Sequence, residues 1–241
     1  MWGFLYGPQR GRFSFRFDLP AQCADALGTG EADIGLVPCA ELDRLELDFL
    51  PDLGIACEGA VRSIYLISRV PFRQIRTLAA DSSSRTSVAL SRILLAEQYG
   101  VEPRFLSHAP DLEAMLTVCD AALIIGDPAL RLDTASLPYQ VLDLGEEWVR
   151  WSGLPMVFAV WAGKADKLTP PVAQAFQASY EWGSGHIAEM ARRAEEDLGF
   201  ATDLARDYLT TRIVYKLDDR HREGLRLFRE LSRNSVRAIQ H

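Results

Sequence analysis

The amino-acid sequence predicts an α/β protein of two lobes, followed by a segment that contains only helices. Short apolar runs alternate with amphipathic stretches through the first two thirds of the chain, which is typical of α/β folds. Two runs rich in β-forming residues, 61–70 and 156–161, bracket a central α/β unit and are expected to cross between the lobes. Because 241 residues suffice for two domains, we expect two hinged lobes with a cleft between them.

The first helix and strand are predicted from residues that typically begin or end such elements. A helix is predicted over 19–27, with Pro20 in its first turn and Gly28 just beyond its end. A short buried strand follows over 32–37 and ends at Pro38. The remaining extended segments of this part are 49–51, 55–57 and 61–70.

The central unit repeats the alternation of strand and helix. Its longest helix is predicted over 84–99 and ends at Gly100. The predicted strands are 75–79, 104–106, 121–125, 139–142 and 156–161, and the other helical segments are 111–117, a turn after Pro128, and a turn at 145–148. Helices over 171–181, 185–198, 202–209 and 218–231 complete the chain. We therefore expect one discontinuous lobe over 1–69 and 157–241, and a second lobe over 70–156.

Composition excludes several classes of protein. A content of 48% apolar and 24% charged residues is typical of a folded chain, and a net charge of −7 gives no general attraction for nucleic acid or acidic lipid. No run approaches the ~20 apolar residues that span a bilayer. The four cysteines are widely spaced, which predicts neither a zinc site nor a disulfide framework and favours a reducing compartment. We expect a cytoplasmic protein with no nucleic-acid partner, no membrane partner and no metal.

The segment Asp81-Ser-Ser-Ser-Arg-Thr-Ser87 is the most informative local feature. It lies between a predicted strand and a predicted helix, where unpaired backbone N–H groups and the helix dipole favour an anion. Its hydroxyls and guanidinium suit a carboxylate or a phosphate, and the candidate ligands are Ser84, Arg85, Thr86 and Ser87. The alternative is an ordinary helix N-cap, because Ser, Thr and Asp are preferred there.

Two further segments place polar groups beside strands. Arg62 and Ser63 lie at the start of the predicted strand 61–70 and point to its opposite faces, so that one of them is expected to face the cleft. A surface arginine beside a turn is the alternative. Gly126 and Asp127 follow a buried strand, at the end where α/β proteins place functional groups, although Asp127 before Pro128 also suits a helix N-cap.

Cys39 follows a predicted strand and is a candidate for lining a pocket. A nucleophilic cysteine needs a nearby base, and the four histidines show no recognisable pairing with it. No Gly-rich phosphate loop is present, so nucleotide binding has no support.

Five segments in this order resemble one family, the chorismate dehydratases of the futalosine route to menaquinone. They are Ala32-Asp-Ile-Gly-Leu-Val-Pro38, Gly59-Ala-Val-Arg-Ser63, Ser84-Arg-Thr-Ser-Val-Ala-Leu90, Ala122-Leu-Ile-Ile-Gly-Asp-Pro-Ala-Leu130, and Asp143-Leu-Gly-Glu-Glu-Trp148 with Gly153-Leu-Pro-Met-Val-Phe-Ala-Val-Trp161. The resemblance covers residues from about 20 to 165.

The resemblance implies a two-lobed, periplasmic-binding-protein-like fold of type II, and a lyase that dehydrates chorismate to 3-enolpyruvylbenzoate without metal or organic cofactor. It implies that Ser63 is catalytic. Because no residue of the sequence is an obvious base, we hypothesise that the substrate's own enolpyruvyl carboxylate takes the proton. The substrate-binding residues that it implies are Cys39, Arg62, Ser84, Arg85, Thr86, Ser87, Gly126 and Asp127. Family members often carry serine or alanine at the position of Cys39.

The chain departs from the family pattern at its start. The family begins with a strand that runs into a Tyr-Leu-Asn-Thr-type segment, whose asparagine lies in the site, whereas this sequence starts just beyond it at Trp2-Gly-Phe4. We expect a shortened sequence. Two alternatives to the dehydratase stay open: the pathway's dihydroxynaphthoate synthase, and a solute-binding protein that captures a small carboxylate without converting it.

Overall fold

A computed structural model describes residues 1–81 and 85–238, and the side chains as far as residue 234. Its first β-sheet has four strands, all paired antiparallel. In spatial order these are β1 (Ile34–Pro38), β8 (Met156–Gly163), β2 (Asp48–Cys57) and β9 (Val214–Lys216). The segments predicted at 49–51 and 55–57 are thus two parts of one long strand, which continues through Pro51 at register shifts.

The second sheet has five strands of mixed direction. In spatial order they are β5 (Arg104–Ser107), β4 (Thr77–Ala80), β6 (Ala121–Ile125), β3 (Ile64–Ser68) and β7 (Gln140–Asp143). Strand β4 runs parallel to β5 and β6, whereas β3 runs antiparallel to β6 and β7. Every residue of β3 is buried, which explains why its sequence is apolar almost throughout rather than alternating.

Ten α-helices surround the two sheets in the described part of the chain. They are α1 (Trp2–Leu5), α2 (Pro20–Thr29), α3 (Arg85–Leu94), α4 (Leu112–Val118), α5 (Gly126–Leu130), α6 (Leu144–Ser152), α7 (Pro170–Ser184), α8 (Ile187–Leu198), α9 (Thr202–Asp207) and α10 (Asp219–Ala238). Two π-helical segments, Leu95–Tyr99 and Tyr208–Arg212, continue α3 and α9. Helix α2 runs two residues beyond its predicted end, because the left-handed residue that closes it is Gly30 (φ 77°).

The main apolar core is continuous from one sheet to the other. Leu90 and Ile93 of α3 and Trp148 of α6 are buried in it, together with strand residues of both sheets. Phe228 of α10 meets Trp148 edge-on, with ring centroids 6.2 Å apart. Helices of the central unit and of the C-terminal segment therefore pack into one core, which holds the two sheets together.

The strands predicted to cross between the lobes each belong to one sheet, so that part of the prediction is wrong. Strand β3 pairs only within the five-stranded sheet and β8 only within the four-stranded sheet. The chain passes between the sheets in the connection 58–63 instead. Sheet membership therefore favours a first lobe boundary near residue 58 rather than 69, and the division into 1–69 plus 157–241 and 70–156 remains a prediction. Among the described helices, none combines the length and apolar character that a membrane span requires.

Candidate active site

Several of the predicted groups lie at the end of the five-stranded sheet where strands β4 and β6 terminate, which is called its edge below. Because these strands are parallel neighbours, their carboxyl ends share this edge, and β3 begins there opposite the end of β6, with Ile64 paired to Ile125. The backbone N–H of Gly126 donates to the carbonyl of Ser63 at 2.7 Å. Two segments that are distant in sequence, 62–63 and 126–127, are thereby fixed side by side.

Ser63 has a protein partner that the sequence did not indicate. Its side chain is buried, and the hydroxyl of Tyr208 donates to Ser63 Oγ at 3.0 Å. Tyr208 opens the π-helical segment after α9, and such segments are frequent at functional sites. Since Oγ accepts this bond, the proton of Ser63 is left to donate to another group. The π-helical segment thus places the hydroxyl of Tyr208 against the hydroxyl of Ser63, beside the strand ends.

Burial raises the pKa of Tyr208, and the negative charge of Asp127 raises it further. The phenol therefore stays protonated at neutral pH and acts as a hydrogen-bond donor. Asp127 itself is exposed, and it lies in the first turn of α5, whose N-cap is Ile125. The interpretation of Asp127 as a helix N-cap is therefore wrong, and its carboxylate remains available near the Ser63–Tyr208 pair.

Arg62 lies beside Ser63 in an unusual backbone conformation. Its φ of 62° is in the left-handed region, which costs a non-glycine residue free energy and is concentrated at functional sites. Its side chain is 43% exposed, and its guanidinium lies 3.5 Å from the carboxylate of Asp207. The residue is therefore partly paired but still partly exposed to solvent.

Asp143 holds this conformation in place and was missed as a site residue. Its carboxylate accepts the backbone N–H groups of Val61 and Arg62 from one segment, and those of Gly145 and Glu146 from the start of α6. It therefore caps α6 and joins the two segments at once. The signal was present in the sequence, because Asp followed three residues later by Glu is the pattern of a capping box.

Thr86 connects α3 to the four-stranded sheet. Its buried hydroxyl donates to the carbonyl of Phe158 in β8 at 3.0 Å and accepts the backbone N–H of Ala40 at 3.3 Å. The proton and one of the two lone pairs of the hydroxyl are thus used by the protein. The predicted contact between this hydroxyl and a substrate stays a prediction, and it must compete with these two bonds.

Arg85 is likewise paired within the protein. Its guanidinium donates to the buried carboxylate of Glu41 at 2.8 Å and to Asp25 at 3.0 Å. Arg44 pairs with the same Glu41 carboxylate. The predicted contact of Arg85 with a substrate anion stays a prediction, and it must compete with these carboxylates of the chain itself.

The remaining predicted groups are placed as follows. Ser87 is buried in the first turn of α3, and Ser84 lies outside the described residues. Cys39 is buried in the main core, and burial raises the pKa of its thiol, so that it is a neutral, apolar group there. Among the described residues, no three His, Cys, Asp or Glu side chains are grouped so that they can hold a metal ion.

Comparison with solved structures identifies the class of fold. The chain superposes on protein AF1704 from Archaeoglobus fulgidus with a TM-score of 0.72 at 15% identity, over 91% of this chain and 85% of that one. It superposes on the periplasmic aliphatic sulphonate binding protein SsuA from Escherichia coli with a TM-score of 0.64 at 15% identity, over 91% and 76% of the two chains. The protein is thus of the two-lobed, type II periplasmic-binding-protein class, as predicted.

Sequence comparison then identifies the family. A family model described as "Menaquinone biosynthesis" matches residues 1–234. A curated chorismate dehydratase from Thermus thermophilus is 31% identical over 230 residues, which cover 88% of this chain and 84% of the relative. The chain belongs to this menaquinone biosynthesis family, and the resemblance read from the five segments is confirmed.

Proposed function

We propose that this protein is a hydro-lyase that converts chorismate to 3-enolpyruvylbenzoate in menaquinone biosynthesis by the futalosine route. The observation that carries the proposal is the 31% identity to a curated chorismate dehydratase over 88% of the chain. The hydroxyl pair of Ser63 and Tyr208 at the strand ends supports it, because the reaction needs donors that are held in position. A cytoplasmic location belongs to the same proposal, and four free thiols support a reducing compartment.

The dehydration of chorismate requires the protein mainly to position the substrate. The C3–H bond of chorismate breaks, its electron pair forms the C3–C4 double bond, and the C4–O bond breaks. The C4 oxygen leaves as water once it has gained a proton, and the ring becomes aromatic. Because aromatisation drives the step, the protein must hold the dianion in one pose and favour loss of water over loss of pyruvate.

In this proposal Ser63 donates its proton-bearing hydroxyl to the departing C4 oxygen. Tyr208 donates to Ser63 Oγ, which orients the serine and strengthens it as a donor. Arg62, whose side chain is 43% exposed, pairs with a substrate carboxylate. Ser84 and Ser87 contact the second carboxylate at the start of α3, where Arg85 binds Glu41 and Asp25 and Thr86 binds the Phe158 carbonyl of β8.

The proton acceptor in this proposal is the enolpyruvyl carboxylate of the substrate. Gly126 and Asp127 form the opposite wall, and Asp127 raises the pKa of Tyr208 rather than removing the substrate proton. Asp127→Asn and His108→Ala test this assignment, since His108 donates its backbone N–H to Ala80 at the end of β4 and lies at the same edge. We expect each to retain at least a tenth of the wild-type turnover. A near-complete loss of turnover with chorismate still bound points to a protein base instead.

The experiment is incubation of the purified chain with chorismate, followed by separation and mass analysis of the products. We expect one aromatic product, lighter than chorismate by one water, with no release of pyruvate. Tight binding of chorismate without any product supports the solute-binding alternative and contradicts the proposal. Chorismate left unbound and unconverted, with turnover of a different substrate of the same pathway, supports the dihydroxynaphthoate synthase alternative.

A further inference from the structure

Asp207 and Arg212 lie at the two ends of the π-helical segment that carries Tyr208. The Nε of Arg212 donates to Oδ2 of Asp207 at 3.0 Å, across five residues of the chain. The backbone N–H of Ile213 donates to the carbonyl of Tyr208 at 3.1 Å and spans the same number of residues. The side-chain pair therefore has the spacing of the i→i+5 hydrogen bond that defines a π-helix.

A regular α-helix does not bring residues with this spacing together. Its neighbouring side chains are three or four residues apart, and residues five apart lie about 140° from each other around the helix axis. Within the regular helix α9, Arg206 accordingly pairs with Asp203, three residues before it. The bond between Arg212 and Asp207 thus favours the π register over the α register of the same residues.

The charges around Asp207 support this contact. The hydrogen bond from Arg212 lowers the pKa of Asp207, which is therefore ionised at neutral pH. The guanidinium of Arg62 lies 3.5 Å from the same Oδ2 atom. The carboxylate of Asp207 thus faces two cations, one at the end of the π-helical segment and one on the residue that precedes Ser63.

The register of this segment determines where the phenol of Tyr208 points. The residues after the segment are fixed, because Ile213 is buried and β9 pairs with β2. Closing the turn one residue earlier, as an α-helix does, would rotate Tyr208 by about 100° relative to them. The hydroxyl of Tyr208 would then turn away from Ser63 Oγ, to which it donates at 3.0 Å.

We propose that Arg212 and Asp207 are positioning residues of the candidate active site, because their hydrogen bond holds the π register that directs the Tyr208 hydroxyl onto Ser63. They act through Tyr208 and do not need to touch the reacting atoms. This inference rests on the proposed dehydration of chorismate for its kinetic test, and a second test below does not depend on that reaction.

The kinetic test is a double-mutant cycle between Arg212 and Tyr208. Arg212→Met removes the guanidinium and keeps the length of the aliphatic chain, and kcat at saturating chorismate should fall roughly 3- to 10-fold. The double variant Arg212→Met/Tyr208→Phe should have the kcat of Tyr208→Phe alone, because both changes remove the same contact. Arg206→Met is the matched control, since Arg206 pairs with Asp203 outside the π-helical segment, and its kcat should equal that of the wild type.

A role of Arg212 that is independent of Tyr208 predicts a different result. The two losses in kcat would then multiply in the double variant, and this outcome, or a wild-type kcat in Arg212→Met, overturns the proposal.

The second test applies the same cycle to the free energy of unfolding, measured by chemical denaturation without chorismate. Tyr208→Phe should destabilise the Arg212→Met protein less than it destabilises the wild type. Equal destabilisation in the two backgrounds overturns the positioning role. A wild type that converts no chorismate contradicts the proposed function, whereas the unfolding cycle still decides whether Arg212 positions Tyr208.

Discussion

At the scale of single residues, the hydroxyl of Tyr208 donates a hydrogen bond to the hydroxyl of Ser63 at the strand ends. Ser63 was predicted as a site residue because it and Arg62 point to opposite faces of a strand, and because the family resemblance implies that Ser63 is catalytic. Tyr208 was not predicted, since it lies 145 residues further along the chain and nothing local marks it. A single sequence reveals which residue types occupy a strand end, but contacts between distant segments require the fold.

Tyr208→Phe tests the role of the phenol, because it removes only the hydroxyl that donates to Ser63. We expect kcat for chorismate to fall roughly 10- to 100-fold with KM changed less than 3-fold, as when one positioned donor is lost. Steady-state kinetics measure both constants. Tyr99→Phe removes the hydroxyl of a tyrosine that donates to Glu147 rather than to Ser63, and it serves as the control. An unchanged kcat in Tyr208→Phe contradicts the role of the phenol.

Asp218 should make the stability of the folded chain depend on pH in the acid range. Hydrogen bonds from His221 lower the pKa of Asp218 from 3.8 to about 2. A carboxylate with a depressed pKa in the folded state stabilises it fully above its ordinary pKa, and that stabilisation is lost as the pH falls through the lowered value. Asp218→Asn should therefore lower the thermal midpoint slightly at pH 7, and the difference from wild type should close between pH 4 and pH 2. The effect is small because the group is exposed.

Asp203→Asn is the control for that pH series, since Asp203 is 95% exposed and 3.4 Å from its nearest guanidinium. Its midpoint should follow that of the wild type at each pH. A difference between Asp218→Asn and wild type that persists unchanged at pH 2 contradicts the assignment.

At the scale of elements, prediction was accurate where several signals agreed. The helix predicted over 111–117 is Leu112–Val118, and the strand predicted over 121–125 is observed at these same residues, because caps and apolar runs mark both. Strand β9 was missed, since its three residues carry no periodicity of their own and pair only with β2. Helix α1 was missed for the same reason, as its four residues are fixed by packing against α7.

Asp143 joins the segment 61–62 to the start of α6, and the stability of the site depends on this link. Asp143→Ala leaves four backbone N–H groups without their acceptor and should lower the free energy of unfolding by about 2–4 kcal/mol. Chemical denaturation followed by circular dichroism measures it. The matched control is Asp111→Ala at the start of α4, where the carboxylate accepts one N–H, and about 1 kcal/mol is expected. Equal losses in the two variants contradict the linking role of Asp143.

At the scale of the whole molecule, one core and a few polar contacts hold the two sheets together. Thr86 and Arg85 were predicted from their chemistry to bind an anion, and within the chain they contact Phe158 of β8, Glu41, and Asp25 of α2. The anion-binding role stays a prediction, and these partners could not be predicted because they lie far away in the sequence. The prediction that two strands cross between the lobes was wrong for a similar reason, since strand 64–68 carries no sign of which sheet it joins.

The hydroxyl of Thr86 can either stabilise the fold or contact the substrate, and Thr86→Val distinguishes these two roles. It keeps the shape of the side chain and leaves Ala40 N–H and the Phe158 carbonyl without their partner. We expect the free energy of unfolding to fall by about 1–3 kcal/mol, with KM for chorismate changed less than 3-fold. A large rise in KM at unchanged stability contradicts this and supports direct contact with the substrate.

The central claim is that chorismate is dehydrated at the edge where Ser63 lies. The most direct test compares the initial rate of aromatic product formation, and the affinity for chorismate, in wild type, Ser63→Ala and the exposed-loop control Ser136→Ala. We predict conversion by the wild type and the control, and a loss of roughly 100-fold or more in Ser63→Ala with chorismate affinity kept within several-fold. A wild type that forms no aromatic product, or a Ser63→Ala variant that forms it at the full rate, contradicts the account.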